Sequence, residues 1–583
     1  MLGFRLLIVL AAAIALATTT VSQAPARSAA PATHDQTADR TASELRTRIE
    51  SFSADLVDLR RRYDTPMSTE RTQRLRQRYE AELQELTESV DFEQLSHNGR
   101  IDWILFENWL RRELHALQQA SQRDAELVSL LPFAGDIAKL GEARRHLADV
   151  EARTAAETVD RIGKSAERVL DQLGPGGDLY DTSPQLRERA ARRLSELRRA
   201  LRAWFRYRDG YDPQFSWWVR APHEQADQQI ERLGTKLRRA AATGDGGEID
   251  RTLIGDPVGE QALQQALAFE WIPYTPAELI EIAEREFAWC DREMAKAAEQ
   301  LGCKDWREAL ETTKQSHRAP GEQPALIKEL AHEAIDFLEA RDLLTIPALA
   351  KECWRMSMMS REAQKVNPFF LGGNTIQVSF PTDAMAHIEK LQALRSNNEH
   401  FCRATVHHEL IPGHWLQQYS QARHRTWRTP FRTPFWIEGW ALYWEMRLYD
   451  LGLHHNARDR VGMLYWRKHR CARIVFSLNF HLGEWTGPQC VEYLIERVGH
   501  ERAAAEGEVR RSVGGAYPPL YQAAYMLGGL QIRALHRELV VDGTWTERQF
   551  HDAILRENSI PIAVLRMSLG TAPPPRKLPE WRF

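Results

Sequence analysis

Apolar side chains recur at helical spacing along most of this chain, and this pattern restricts the possible folds more than any other feature. Side chains three or four residues apart lie on one face of an α-helix, so such a stripe marks the face that packs against a core. The clearest stripe consists of Ile101, Trp103, Ile104, Phe106, Trp109, Leu110 and Leu114. Similar stripes extend over residues 41–240, and the helical pattern continues to residue 365. We therefore predict a mainly α fold.

One segment departs from the helical pattern. Residues 369–380 alternate β-branched and aromatic side chains after the pair Gly372-Gly373, which predicts a strand and hence a small β-sheet. The segment precedes a histidine-rich motif. An edge strand at this place could pair with an extended peptide substrate, with Asn374 among the contacts. A purely structural ribbon is the alternative.

The length and the N-terminus predict the domain organisation. The chain has 583 residues, and single cores stop growing at ~250–300 residues, so we expect more than one subdomain. Near the start, Arg5 precedes an apolar stretch from Leu6 to Ala17, and Ser22-Gln23-Ala24 offers a small-residue cleavage site. This pattern is typical of a signal peptide, with an uncleaved anchor as the alternative.

We therefore predict a signal peptide over residues 1–24, a linker over 25–40, an N-terminal helical subdomain over 41–255 and a catalytic helical subdomain over 256–583. A signal peptide implies export, to the periplasm or outside the cell.

Charge and hydropathy limit the classes of binding partner, and the cysteines raise the question of disulfide bonds. The formal net charge is −3, so the chain lacks the basic excess of a nucleic-acid-binding protein. No stretch after the N-terminus is apolar enough for a membrane helix, so we expect no membrane contact beyond export. The six cysteines could form disulfides in an oxidising compartment or remain free thiols.

Residues 405–414 read TVHHELIPGH and contain a candidate metal site. The helix of a zinc peptidase usually reads H-E-x-x-H, with both histidines on one ion and the glutamate acting on the bound water. Here His408 and His414 are six residues apart, which separates them by ~9 Å along a straight helix. One zinc ion, with bonds of ~2.0–2.1 Å, could not reach both on an unbroken helix.

The two additional residues of the motif also suggest how it could still bind a metal. Pro412 lacks an N–H and clashes with the carbonyl four residues back, and Gly413 tolerates unusual dihedral angles. Together they can bulge the helix and bring His414 toward His408. His407 faces the same way as His414 and is a second possible ligand. A helix end with clustered histidines is the structural alternative.

A third ligand is predicted in the aromatic segment of residues 436–445, WIEGWALYWE. This segment is expected to be a buried helix, and a carboxylate there needs a compensating partner. A metal ion would satisfy Glu438, and an ion pair with an arginine is the alternative. Glu445 lies two turns further on the same face, where it could orient a ligand histidine.

These motifs carry a family resemblance. The run from Thr405 to Glu409 resembles the T-V-H-H-E run of the angiotensin-converting enzyme family, in which the third zinc ligand lies 24 residues beyond the second histidine, as Glu438 does from His414. The pattern H-E-x-x-P-G-H followed by E-G-W-A-x-Y is similar to the bacterial family called domain of unknown function 885. That family resembles the helical gluzincin peptidases, such as thimet-type oligopeptidases and thermostable carboxypeptidases. The resemblance covers residues 250–570, and more loosely the helical half before them.

The resemblance implies a helical fold with a deep cleft, a small sheet at its rim and one zinc ion per chain. His408, His414 and Glu438 would bind the zinc and leave a fourth position for water. Glu409 would be the general base and then the proton donor to the leaving amine.

The resemblance also implies oxyanion donors. Residues 517–528, YPPLYQAAYMLG, are similar to a tyrosine-rich segment of the peptidases. Tyr525, and after it Tyr521, would donate to the oxyanion, with packed core tyrosines as the alternative.

Three further residues are candidates for binding substrate. His481 resembles a histidine near a helix end in the same bacterial family and would contact the substrate or transition state, although a satisfied core histidine is the alternative. Arg473 and Arg511 could hold a substrate carboxylate, since a guanidinium fork matches it. Surface or structural ion pairing is the alternative for both arginines.

We therefore expect a zinc metallopeptidase acting on short peptides. A zinc hydrolase of another amide or ester, using the same site, is the first alternative. An inactive helical binding protein is the second, although the glutamate between the two histidines argues against a decayed site.

Overall fold

The predicted apolar stripes form the buried faces of helices. The structure is a computed structural model and describes residues 43–244, 247–248, 250–364, 370–515 and 517–583. The signal peptide and the linker, predicted over 1–24 and 25–40, lie outside the described residues. In the helix over His97–Ala125, the stripe from Ile101 to Leu110 is buried.

The fold is mainly α, as the sequence predicts. The helices of the described residues are α1 (Arg46–Arg62), α2 (Thr69–Ser89), α3 (His97–Ala125), α4 (Ala134–Arg145), α5 (Ala152–Gln172), α6 (Pro184–Arg206), α7 (Pro213–Ala242), α8 (Glu260–Phe269), α9 (Pro276–Gln300), α10 (Trp306–Lys314), α11 (Gln323–Ala340), α12 (Ala348–Cys353), α13 (Arg361–Gln364), α14 (His387–Ser396), α15 (Glu399–Glu409), α16 (His414–Gln421), α17 (Pro434–Asp450), α18 (Ala457–Leu482), α19 (Gly487–Val498), α20 (Arg502–Val513), α21 (Tyr521–His536), α22 (Glu547–Arg556) and α23 (Ile562–Leu569). Short 3-10 turns over Phe92–Gln94, Arg251–Leu253 and Thr426–Phe431 and a π-helical turn over Arg537–Val541 complete the helical elements of these residues.

In the described part of the chain, five short strands form two small sheets. Strands β1 (Thr243–Gly244) and β2 (Gly247–Glu248) make an antiparallel hairpin. Strands β3 (Arg355–Met358), β4 (Phe370–Leu371) and β5 (Thr375–Val378) form a second sheet in the order β3–β5–β4. Strand β5 runs parallel to β3 and antiparallel to β4.

The strand predicted over residues 369–380 is therefore two strands joined at the glycine pair, and residue 369 lies outside the described residues. Within the predicted segment β5 is the central strand and the two-residue strand β4 lies at an edge of the sheet, so pairing with an extended peptide stays a prediction for β4 alone. The missed partner, β3, reads RMSM and carries no β-branched or aromatic signal. Asn374 is exposed, and its carbonyl accepts a hydrogen bond from Arg355.

The hydrophobic cores divide the chain differently from the predicted boundary between residues 255 and 256. Helices α1–α3 share one core with most of the chain after residue 252, because the stripe of α3 packs with α8, α23 and the 3-10 turn over Thr426–Phe431. A second core joins helices α4–α7. A third, smaller core packs the β3–β5–β4 sheet against α11 and α15.

All six cysteines are free thiols. Among the described residues, no helix combines the length and the apolar character that crossing a membrane requires.

Helices α17 and α21 cross with their backbones in contact. A Cβ atom placed on Gly528 would lie 1.9 Å from the carbonyl oxygen of Phe435, and one placed on Gly439 would lie 2.5 Å from the carbonyl carbon of Gly528. Only glycine fits at both positions, because any other residue would push the helices apart. This crossing brings Glu438 of α17 next to the tyrosines at the start of α21.

Because the two backbones touch at this crossing, adding a single methyl group at Gly528 should lower the stability of the protein strongly. We expect Gly528→Ala to lower the free energy of unfolding by about 2 kcal/mol or more, because backbone atoms cannot move aside as side chains can. The matched control is Gly507→Ala in α20, where an added Cβ would meet no atom of the described residues within 4 Å. That change should raise stability by about 0.5–1 kcal/mol. Urea unfolding of both variants measures the difference, and equal stability would refute the account of the crossing.

Candidate metal centre

The motif helix ends where the two additional residues begin. Asn398 caps the start of α15 by accepting hydrogen bonds from the backbone N–H groups of His400 and Phe401. The helix stops at Glu409, and α16 starts at His414. The sequence predicts a bulge within one helix, whereas the structure has two helices joined by a four-residue connection containing a cis Ile411–Pro412 peptide.

The connection turns the chain sharply back on itself. A Cβ atom on Gly413 would lie 1.8 Å from the carbonyl oxygen of His408, so this close approach requires glycine. Trp440 of α17 donates an indole hydrogen bond of 2.8 Å to the carbonyl of Pro412, which holds the connection against α17. As a result, the rings of His408 and His414 lie 4.8 Å apart between centroids.

Three buried side chains converge at this point. The ligand atoms of His408, His414 and Glu438 all lie within 4.8 Å of one another. Glu438 Oε2 is 3.2 Å from His414 Nε2 and 3.8 Å from His408 Nε2. This oxygen is buried and makes no hydrogen bond within the described part of the chain. Two ligands of one zinc ion lie at most ~4.2 Å apart, so small side-chain shifts would suffice for these donors to share an ion.

A buried ion pair orients the first histidine. His408 Nδ1 donates to Glu445 Oε1 at 2.6 Å, and Arg470 Nη2 lies 3.3 Å from the same oxygen. Burial raises the pKa of Glu445, but Arg470 and His408 outweigh it and hold the pKa at about 2. Glu445 is therefore a carboxylate that fixes the His408 ring with Nε2 facing Glu438.

The second histidine, His414, is held by Gln417 of the same helix, α16. Gln417 Oε1 lies 3.4 Å from His414 Nδ1, and the Gln417 amide donates to the carbonyl of Ile437. Burial disfavours the charged imidazole, but the Glu438 carboxylate raises the pKa of His414 to about 9. The raised pKa reflects the short distance of 3.2 Å between His414 Nε2 and the Glu438 carboxylate.

A cavity of about 260 Å³ opens onto these side chains and also contains Glu409. Glu409 is half-buried, and a Cβ atom on Gly372 would lie 1.9 Å from Glu409 Oε2. The turn between β4 and β5 therefore passes directly over the Glu409 carboxylate. The small sheet therefore forms one wall of the cavity, with its central strand β5 paired on both sides.

Two tyrosines form the opposite wall. The Tyr521 hydroxyl donates to Glu438 Oε1, so it holds the carboxylate in place. The Tyr525 ring stacks over His408 at 6.2 Å between centroids. Burial and the Glu438 charge raise the pKa of Tyr525 to about 12, which keeps its hydroxyl protonated and able to donate.

Both predicted arginines line the cavity, and both contact a glutamate that the sequence analysis missed. Arg473 donates to Glu508 through Nε at 2.7 Å and through Nη2 at 3.1 Å, and Arg511 Nε lies 3.0 Å from the same carboxylate. Burial raises the pKa of Glu508, but the two guanidinium groups lower it to about 2. In the sequence, Glu508 is one acid in an arginine-rich helix, and nothing local distinguishes it.

The remaining candidates do not reach the cavity. His407 lies on the other side of α15, with its ring 5.9 Å from that of His454, and burial lowers its pKa to about 3. His481 lies eleven residues beyond Arg470 in α18, which is ~16 Å along the axis. Burial lowers the pKa of His481 to about 4, with Asp256 as the nearest acid to act on it. Asn374 points away from the cavity as an exposed residue.

Most of the chain matches a known protein family. A family model described as "Bacterial protein of unknown function (DUF885)" matches residues 51–569. The chain belongs to the DUF885 family. No curated protein matches this DUF885 chain.

Two solved structures resemble this DUF885 protein. One is a candidate lipoprotein of unknown function from Shewanella oneidensis, with 16% identity and a TM-score of 0.65 over 90% of this chain and 99% of that one. The other is a candidate lipoprotein from Colwellia psychrerythraea, with 15% identity and a TM-score of 0.53 over 91% of this chain and 96% of that one. At this identity the likeness shows a shared fold.

Because Glu508 is buried and paired with two arginines, we expect part of the free energy of unfolding to be lost at acidic pH. Its pKa lies at about 2, below the ordinary 4.5, so the stabilisation is present above the unfolded pKa and is lost as the pH falls toward 2. At ~1.4 kcal/mol per pKa unit, it amounts to about 3 kcal/mol at neutral pH. We expect the stability difference between wild type and Glu508→Gln to shrink by about 2 kcal/mol between about pH 6 and about pH 3.

Urea unfolding at the two pH values measures this change. Glu492→Gln is the control, because Glu492 pairs with Arg502 on the surface, where water screens the charges. A stability difference for Glu508→Gln that does not change with pH would contradict the assignment.

Proposed function

We propose that this DUF885 protein is a zinc-dependent hydrolase of peptide bonds in short peptides. The observation that carries the proposal is the convergence of two histidines and a glutamate in one buried cavity that also contains Glu409. Two nitrogen donors and one carboxylate form a ligand set typical of catalytic zinc. The relationship to the gluzincin peptidases, implied by the motif, is part of the same proposal.

The chemistry of the donor set fits zinc. His408, His414 and Glu438 would hold the ion, because Glu438 Oε2 lies 3.2 Å from His414 Nε2 and 3.8 Å from His408 Nε2. Zinc bound there would supply Lewis acidity to a substrate carbonyl and lower the pKa of water in the site. Glu445 and Gln417 hold the two imidazoles through their other nitrogens, which preserves the ligand geometry.

Glu409 is the proposed general base. It would accept a proton from the attacking water and then pass it to the leaving amine. Its carboxylate lines the cavity beside the ligands and lies under the β4–β5 turn, which limits its motion. The turn therefore positions the base and also shields it from bulk water.

We assign the two tyrosines different roles. Tyr525 is the proposed donor to the oxygen that gains negative charge, because it lines the cavity and its hydroxyl stays protonated. The hydroxyl of Tyr521 is already engaged with Glu438, so we assign Tyr521 a positioning role. This refines the prediction from the sequence, which names both as donors.

The cavity volume supports a small substrate. At about 260 Å³, the cavity lies below the ~300–1,000 Å³ of sites that enclose drug-sized ligands. It could admit the end of a short peptide and would exclude a folded protein.

We also propose that the protein is exported and acts in the periplasm or outside the cell. The signal-like N-terminal pattern supports this location. The description of both solved structural relatives as candidate lipoproteins is consistent with it.

The first test is metal content. We expect about one zinc ion per chain, measured by mass spectrometry of the purified protein, and loss of that zinc in His414→Ala and Glu438→Ala. His407→Ala and His481→Ala are matched controls and should retain the ion, because neither side chain reaches the site. A wild-type chain that takes up no zinc on reconstitution would remove the basis of the proposal.

The second test separates metal binding from turnover. Glu409→Gln should keep its zinc and lose ~10²–10⁴-fold in kcat/KM, because only the proton transfer is removed. The assay uses a panel of short peptides together with other amides and with esters. Full activity of Glu409→Gln would contradict the mechanism, and turnover of the esters alone would contradict the peptide assignment.

A further inference from the structure

Arg511 offers an unused guanidinium edge to the cavity. Its Nε lies 3.0 Å from Glu508 but makes no hydrogen bond with the described residues, and the side chain lines the cavity. The side chain is mostly buried, and its Cζ lies 5.6 Å from the centre of the Tyr517 ring, which also lines the cavity. Arg473 Nη1 is likewise buried without a hydrogen-bond partner in this part of the chain.

Two guanidinium groups of this wall share one carboxylate. Arg470 pairs with Glu445, whereas Arg473 and Arg511 both pair with Glu508, and the other acids of the cavity, Glu409 and Glu438, lie at the end that holds the two histidines. A buried charge without a counter-charge is costly, so an anionic group on the ligand would be stabilised here. A guanidinium edge with two free N–H donors matches the two oxygens of a carboxylate.

The distances place this wall within a few residues of the metal ligands. Arg473 Cζ lies 4.3 Å from the centre of the Tyr525 ring, and that ring lies 6.2 Å from the ring of His408. An extended residue spans ~3.3–3.6 Å, so a group held by Arg473 would lie about three residues or fewer from the bond to be cleaved.

We propose that Arg511, supported by Arg473 and Tyr517, binds the free C-terminal carboxylate of the substrate. The enzyme would then remove one to three residues from the C-terminus, as a carboxypeptidase. This inference rests on the proposed peptide hydrolysis and specifies its substrate end. Glu508 is a positioning residue that holds both guanidinium groups toward the cavity. A substrate ammonium group at this wall would be repelled, which disfavours removal of N-terminal residues.

The test compares two ligands that differ only in their C-terminal charge. Calorimetry on the zinc-loaded Glu409→Gln protein measures binding of N-acetyl-Ala-Ala-Phe and of its C-terminal amide. We expect the free acid to bind at least ~10-fold more tightly, which is the usual size of a hydrogen bond to a charged group. Arg511→Met should abolish the preference, and Arg511→Lys should keep part of it by retaining charge without the fork.

Arg502→Met in the same helix is the matched control, because Arg502 forms an exposed pair with Glu492. It should keep the full preference. Equal binding of acid and amide by the parent protein would overturn the inference without needing any variant to fold. Hydrolysis of both forms by wild type at similar rates would also overturn it and leave the proposed peptidase intact. Selective binding of the acid without hydrolysis of either form would overturn the peptidase and keep the carboxylate site.

Discussion

The contact between the backbones of α17 and α21 is the constraint on which the candidate site depends. Gly439 and Gly528 allow the two helices to touch without intervening side chains. One helix carries Glu438, and the other carries Tyr521 and Tyr525. At an ordinary helix separation of ~8–10 Å, with side chains between, the Tyr521 hydroxyl would not be held so directly against the Glu438 carboxylate. The crossing therefore sets the position of a proposed metal ligand and of a proposed oxyanion donor together.

Around this crossing, the buried charges are arranged in pairs that leave specific atoms free. Glu445 neutralises Arg470 and fixes His408, and Glu508 neutralises Arg473 in the same way. Such pairs contribute little net stability, because desolvation offsets the attraction. Their effect is geometric: they hold imidazole and guanidinium groups in defined orientations. A buried atom without a hydrogen-bond partner in the described part of the chain, such as Arg473 Nη1, then belongs to a side chain that lines the cavity, where a ligand could satisfy it.

The broken motif helix shows how a two-residue insertion can preserve a ligand set. An unbroken helix would place His408 and His414 ~9 Å apart along the axis. Ending α15 at Glu409 and starting α16 at His414 brings the rings within 4.8 Å. Pro412 and Gly413 make this possible, since one cannot continue the helix bonding and the other lets the backbone approach His408.

Local sequence pattern determined the helices and pointed to the proposed metal ligands and the proposed base, because helical periodicity and motif spacing depend on neighbours within a few turns. Only the tertiary structure decided which distant residues meet. It brought Glu508 to the arginines, placed β3 beside β5, joined α1–α3 to the later core and left His481 far from the site. None of these outcomes has a local signal. They arise from packing between segments that are separated in sequence, from 20 residues between paired positions of β3 and β5 to hundreds between α3 and α23, where burial and charge pairing of the whole chain select the arrangement.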